Sequence, residues 1–250
     1  MANKTPSCCP PSPIPPRWAP LKAKFINVFK IQDQNNFRVI NLTDGSMLFH
    51  ARRTILDGMA NGINLNFTRN HPETLEPLRG LEGLLSVIVH DYVHSWHYDY
   101  SFIHSLSMLR HLAVYTTDRK EIDFSCFPVL ESAALFWRPK ANSLFNSIGL
   151  KRLFLGKYTG KNVSELYALQ KLEYLRLNTG SIKTLEGLAN LHNIRELMLM
   201  QLTKLEDIQE LRQLKKIEYL RIDNCRRITN INVVKEMFIP HIEIVGTTPS

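Results

Sequence analysis

Residues 188–199, LANLHNIRELML, place apolar side chains at Leu188, Leu191, Ile194, Leu197 and Leu199, a run of threes that ends in a step of two. The same order recurs in LYALQKLEYLRL (166–177) at Leu166, Leu169, Leu172, Leu175 and Leu177. It recurs again in LRQLKKIEYLRI (211–222) at Leu211, Leu214, Ile217, Leu220 and Ile222. Steps of three suit a helical or 3₁₀ turn that buries one stripe, whereas a step of two suits a strand whose side chains alternate between faces. An amphipathic helix could imitate the threes within one copy, but it could not reset to the LxL step every 22 residues.

Working outward, weaker copies lie upstream in LRGLEGLLSVIV (78–89), IHSLSMLRHLAV (103–114), FSCFPVLESAAL (124–135) and LFNSIGLKRLFL (144–155). VKEMFIPHIEI (234–244) closes the series. The LxL triplets start at Val87, Leu112, Ala133, Leu153, Leu175, Leu197, Leu220 and Ile242, at steps of 20 to 25 residues, and a degenerate copy begins at Ile63. This pattern resembles the leucine-rich-repeat family, whose repeats run to roughly 20–29 residues. The resemblance implies an α/β fold, a right-handed solenoid with a concave parallel β-sheet and short convex helices. One repeat cannot bury both of its faces, so stability is expected to come from stacked neighbours.

The remaining chain divides by composition. Seven of the 13 prolines fall within residues 1–20, which reads as a disordered or extended tail. Residues 21–62 alternate polar and apolar through KFINVFKI and FRVINL and turn at Asp44-Gly45, predicting a β-rich N-terminal cap with a hairpin and a helix near 46–60. Residues 63–250 are then the repeat domain, with about eight to nine repeats.

Composition narrows the function. No apolar run is long enough to span a membrane, no signal-peptide pattern opens the chain, and Cys8, Cys9, Cys126 and Cys225 form no disulfide framework. The expectation is a cytoplasmic protein, as a monomer. The net charge of +8 is spread through the chain, with short clusters only at Arg212, Lys215, Lys216 and at Arg226, Arg227, which disfavours nucleic acid as the partner. No nucleophile elbow, phosphate-binding glycine loop or His-Glu-x-x-His motif occurs, so the chain reads as no enzyme, with no small-molecule substrate and no cofactor.

His90, Asp91, His94, His97, Asp99 and His104 crowd the longest repeat step, but a helical His90/His94 face is incompatible with a strand ending there. No metal is expected, and His94 and His97 are assigned to packing of an aromatic loop. Cys225, in LRIDNCRRITNI, sits where cysteine-containing repeats of F-box-type adaptors carry theirs; a buried turn position is the expectation.

Strand alternation sends the residues that flank and split each LxL triplet to the concave face. Tyr115, Phe136, Phe154, Tyr174, Arg176, Met198, Tyr219 and Arg221 are therefore the candidate partner-binding residues, with Met200 beside them. Aromatics, Met and Arg are favoured at protein interfaces. Arg152, Arg176 and Arg221 balance Glu196, Asp223 and Glu243, giving this face no formal charge. The reading is a non-catalytic protein-binding module, with an inhibitor or immunity protein that neutralises a toxin as its narrower form. The alternatives are a basic nucleic-acid binder or a membrane-tethered or F-box-like adaptor scaffold.

Overall fold

A computed structural model describes residues 31–34, 36–91 and 99–247. The proline-rich segment, Cys8 and Cys9, residues 21–30 of the expected cap, and His94 and His97 lie outside the described residues. One sheet of eleven strands runs in strict chain order. The strands are β1 (Ile31–Gln34), β2 (Phe37–Asp44), β3 (Gly62–Arg69), β4 (Ser86–Asp91), β5 (His111–Thr116) and β6 (Ser132–Phe136). They continue with β7 (Arg152–Gly156), β8 (Tyr174–Asn178), β9 (Glu196–Met200), β10 (Tyr219–Asp223) and β11 (His241–Val245). β1 and β2 pair antiparallel as a hairpin, and every later pair is parallel. The parallel run of ten therefore starts at β2, one strand earlier than the spacing of apolar residues marks it.

The register follows the triplets read from sequence. Ile40, Ile63, Val87, Leu112, Ala133, Leu153, Leu175, Leu197, Leu220 and Ile242 form one continuous row across the sheet. Every member of that row up to Leu220 is at most 2% exposed. Ile242 breaks the rule at 41%, as does Ile244 beside it, because among the described residues no further strand stacks on β11.

The convex side is built from 3₁₀ turns, at Ser101–Ser105, Ser164–Ala168 and Gln209–Gln213 among others. Their spacing explains this: Leu166, Leu169 and Leu172 are buried every third residue, and their amides each bond the carbonyl three residues back. Such bonds suit a turn of three residues, whereas an α-helix would carry its stripe at alternating threes and fours. Among the described residues the one α-helix is α1 (Leu48–Leu56), which buries Leu48, Ala51, Thr54 and Ile55. Asp44 prepares its start by accepting from the Ser46 amide at 3.0 Å and its hydroxyl at 2.7 Å.

The chain leaves its later strands by one device. Lys157, Thr179, Gln201 and Asn224, each the residue after a strand, adopt left-handed backbone with φ between 51° and 59°. Their amides bond the last carbonyl of the next strand at 2.7–2.9 Å, which carries the ladder one residue beyond the sheet. The position that follows points inward and holds Tyr158, Leu202 and Cys225, all at most 1% exposed. Cys225 thus occupies the buried turn expected for it, its thiol 3.5 Å from the Leu199 carbonyl.

Candidate functional site

The concave sheet carries three rows of outward side chains, and the row members differ in size. On β6 the outward residues Ser132 and Ala134 are small, while β5 supplies Tyr115 and β7 supplies Arg152 and Phe154. A hollow of about 420 Å³ opens over β6, walled by Tyr115, Phe136, Arg152, Phe154, Tyr174, Arg176 and Asn178. Gly156 makes the wall possible. It lies directly opposite Phe136, and a Cβ there would stand 2.5 Å from the Phe136 ring. Without that atom Phe136 can lean across β7, and Tyr115 meets both Phe136 and Phe154 edge-on at centroid distances of 5.9 Å.

The two arginines of the hollow stand over its aromatic rings. Arg152 stands 4.3 Å from the Tyr174 centroid and Arg176 5.1 Å from that of Phe154, and Lys157 approaches Phe136 at 5.1 Å. Neither Arg152 nor Arg176 forms an ion pair among the described residues, and Arg176 Nε is buried without an acceptor. Tyr174 directs its hydroxyl to the Met198 sulfur at 3.5 Å, which links the hollow to β9. Further along, Arg221 is neutralised within the chain, by Glu243 at 2.9 Å and Asp223 at 3.1 Å.

At the other end the face is closed. Phe37 stacks on His111 with centroids 6.1 Å apart, although β3 and β4 separate their strands. The positions between are Gly62 and Ser86, small enough to lie beneath such a contact, and Ser86 is 1% exposed. His111, 8% exposed, has its pKa pushed down to about 4 by burial and by the Arg152 charge, so it is neutral at ordinary pH. His90 stacks on Tyr115 at 5.2 Å, and burial lowers its pKa too.

The eight residues expected on this face, Tyr115, Phe136, Phe154, Tyr174, Arg176, Met198, Tyr219 and Arg221, all stand on the concave rows, partly exposed. Alternation alone also sends Ser86, His111, Ala113, Ala134, Gly156 and Asp223 outward, and all six are buried. Small side chains are overshadowed by larger neighbours, and Phe37 covers the start of the face. Arg152 walls the hollow as much as Arg176 does, although the sequence pattern singles out its aromatic neighbours instead. Its signal was available in the row that sets it against Tyr174.

By sequence, no family model and no curated protein matches the chain. In structure it is similar to an internalin (InlF) from Listeria monocytogenes, with a TM-score of 0.50 at 17% identity over 82% of this chain and 61% of that one. The fold is the leucine-rich-repeat solenoid. The chain thus spans less than two-thirds of that internalin's length. The leucine-rich repeat domain of the type III effector XopL is a more distant likeness, with a TM-score of 0.48 at 14% identity, covering 90% of this chain and 81% of that one. Among the described residues, no helix of this leucine-rich-repeat solenoid is long and apolar enough to cross a membrane.

Proposed function

We propose that this leucine-rich-repeat protein binds another protein along its concave sheet. The observation that carries the reading is the hollow over β6, where four aromatic side chains and two arginines stay partly open to solvent on a rigid surface. Folding alone gives no reason to present Tyr115, Phe136, Phe154 and Tyr174 outward, since the core is already closed beneath them. Aromatic rings and arginines in a central, readily desolvated patch are what dominate binding energy in protein interfaces. The narrower form of the reading is a binder that inhibits its partner by occupying it, a role that asks only for a rigid complementary surface.

Affinity capture with the wild-type chain and with Phe154→Ala, Tyr174→Ala and Lys215→Ala/Lys216→Ala variants tests the reading, followed by titration against the captured partner. Phe154→Ala and Tyr174→Ala should each weaken binding by about 2 kcal/mol or more with the melting temperature little changed. The convex lysine pair should matter far less. Normal binding by both aromatic variants, with loss in the lysine variant, would move the site to the convex surface. The captured partner's own activity, measured with and without the wild-type chain, decides whether binding inhibits it.

A further inference from the structure

The central hollow differs from the rest of the concave face in one respect that bears on what fills it. Further along the concave strands, Arg221 is neutralised within the chain by both Asp223 and Glu243. Arg152 and Arg176 have no such partner among the described residues, although they stand on adjacent strands with their guanidinium groups held over Tyr174 and Phe154. Lys157 adds a third positive charge at the rim, beside Phe136. Formal neutrality of the whole face therefore conceals a positive centre and an end that is satisfied internally.

From this arrangement we propose that the hollow receives an acidic side chain, an Asp or Glu carried by an extended segment of the protein partner. Stacking on an aromatic ring fixes the plane of a guanidinium while leaving its N–H edge free, and that edge matches a carboxylate in two parallel hydrogen bonds. Arg176 Nε is itself buried with no acceptor among the described residues, so the terminal nitrogens of its guanidinium are the donors that an incoming carboxylate would meet. The walls choose between anions. Three positive charges around a ringed hollow suffice for a carboxylate, whereas a nucleic acid strand needs a track of lysines and arginines that this face lacks. Tyr115, Phe136 and the small residues of β6 would take the apolar neighbours of the acidic residue.

This inference rests on the concave-face reading above, and its test separates the two. Fluorescent Gly-Glu repeat peptides of about ten residues serve as the probe, with Gly-Gln and Gly-Lys repeats and an oligothymidylate of similar length as comparisons. The Gly-Glu peptide should bind best, and Arg152→Gln and Arg176→Gln should each weaken it by at least about ten-fold, the usual scale of a charged hydrogen bond. Arg221→Gln should change it less than about two-fold. Arg152→Glu/Arg176→Glu should shift the preference to the Gly-Lys peptide. Equal binding of Gly-Gln, or Gly-Glu binding that survives both Arg→Gln variants, overturns the proposal. So does an oligothymidylate that binds more tightly and is lost in the same variants, since the anion would then be phosphate. If a captured partner is lost by Phe154→Ala but held by Arg152→Gln/Arg176→Gln, the protein-binding reading stands and the acidic-residue inference falls.

Discussion

The strands from β7 to β10 and those from β4 to β6 build the same parallel sheet but fill its interior in opposite ways. In the later group each strand ends in a left-handed residue, and the inward position that follows takes Tyr158, Leu202 or Cys225, with Gly180 at the fourth. In the earlier group no residue after β5 or β6 has positive φ, and the equivalent position after β6 is Arg138, which is 2% exposed. Its guanidinium donates to the Tyr100 hydroxyl at 2.7 Å, to Asp118 at 2.9 Å and to the Thr116 hydroxyl at 3.1 Å. Asp118 also accepts from Tyr100 at 2.7 Å and from the Lys120 amide at 2.8 Å. The leucines next to the sheet change as well: where the triplet has only Ala133, Phe124 and Phe127 fill the space, 5.9 Å apart in an edge-on pair. A repeat thus constrains the register of its strand tightly and the chemistry of its turn loosely. The two fillings differ in kind, because an apolar turn tolerates loss piecemeal whereas a buried charge depends on all its partners at once.

The sharpest way to break this comparison is to remove one charge. Arg138→Met leaves Asp118 buried and uncompensated, and should destabilise the fold by about 3–5 kcal/mol in urea or thermal melts. Adding Asp118→Leu to it should return much of that loss. If the single change costs under about 1 kcal/mol, the cluster is not the buried unit described here.

In the regular group the corresponding loss is a cavity. Leu197→Ala, on the central row, should cost about 2–5 kcal/mol, whereas Ile242→Ala, one row end away and 41% exposed, should cost about 1 kcal/mol or less. Equal penalties would mean that the end of the array is as enclosed as its middle.

The subtler effect is acid sensitivity at the closed, earlier end of the concave face. His111 has a folded-state pKa near 4 against an ordinary 6.5, so the unfolded chain takes up the proton first as pH falls. Its contribution is complete above 6.5 and is lost as pH falls toward 4, amounting to about 3 kcal/mol at most. Asp118 acts lower. Burial raises its pKa, but the Lys120 amide, Tyr100 and Arg138 outweigh this and hold it below the usual carboxylate range, so its stabilisation is lost as pH falls below about 4. Urea midpoints measured between pH 7 and 4 should fall for the wild type and fall less for His111→Gln. A slope unchanged by that variant would show that His111 is not the group responsible.

Much of this was legible in the sequence, and the boundary between legible and hidden is physical. Period and register were fixed by apolar spacing alone, since a one-residue slip of any strand would turn Leu175 and Leu177 to solvent and Arg176 inward. The same alternation put Phe154, Tyr174 and Arg176 on one face. What spacing could not convey was distance between residues far apart in the chain. That Phe37 reaches His111, that Arg138 finds Asp118 and Tyr100, and that Gly156 lets Phe136 lean over β7 all depend on strands brought together by stacking. The charge of the concave face shows the same limit. Its sum was available from composition, but which arginines are neutralised depends on a few ångströms between neighbouring strands, and among the described residues the tertiary structure alone leaves Arg152 and Arg176 without a carboxylate partner while giving Arg221 two.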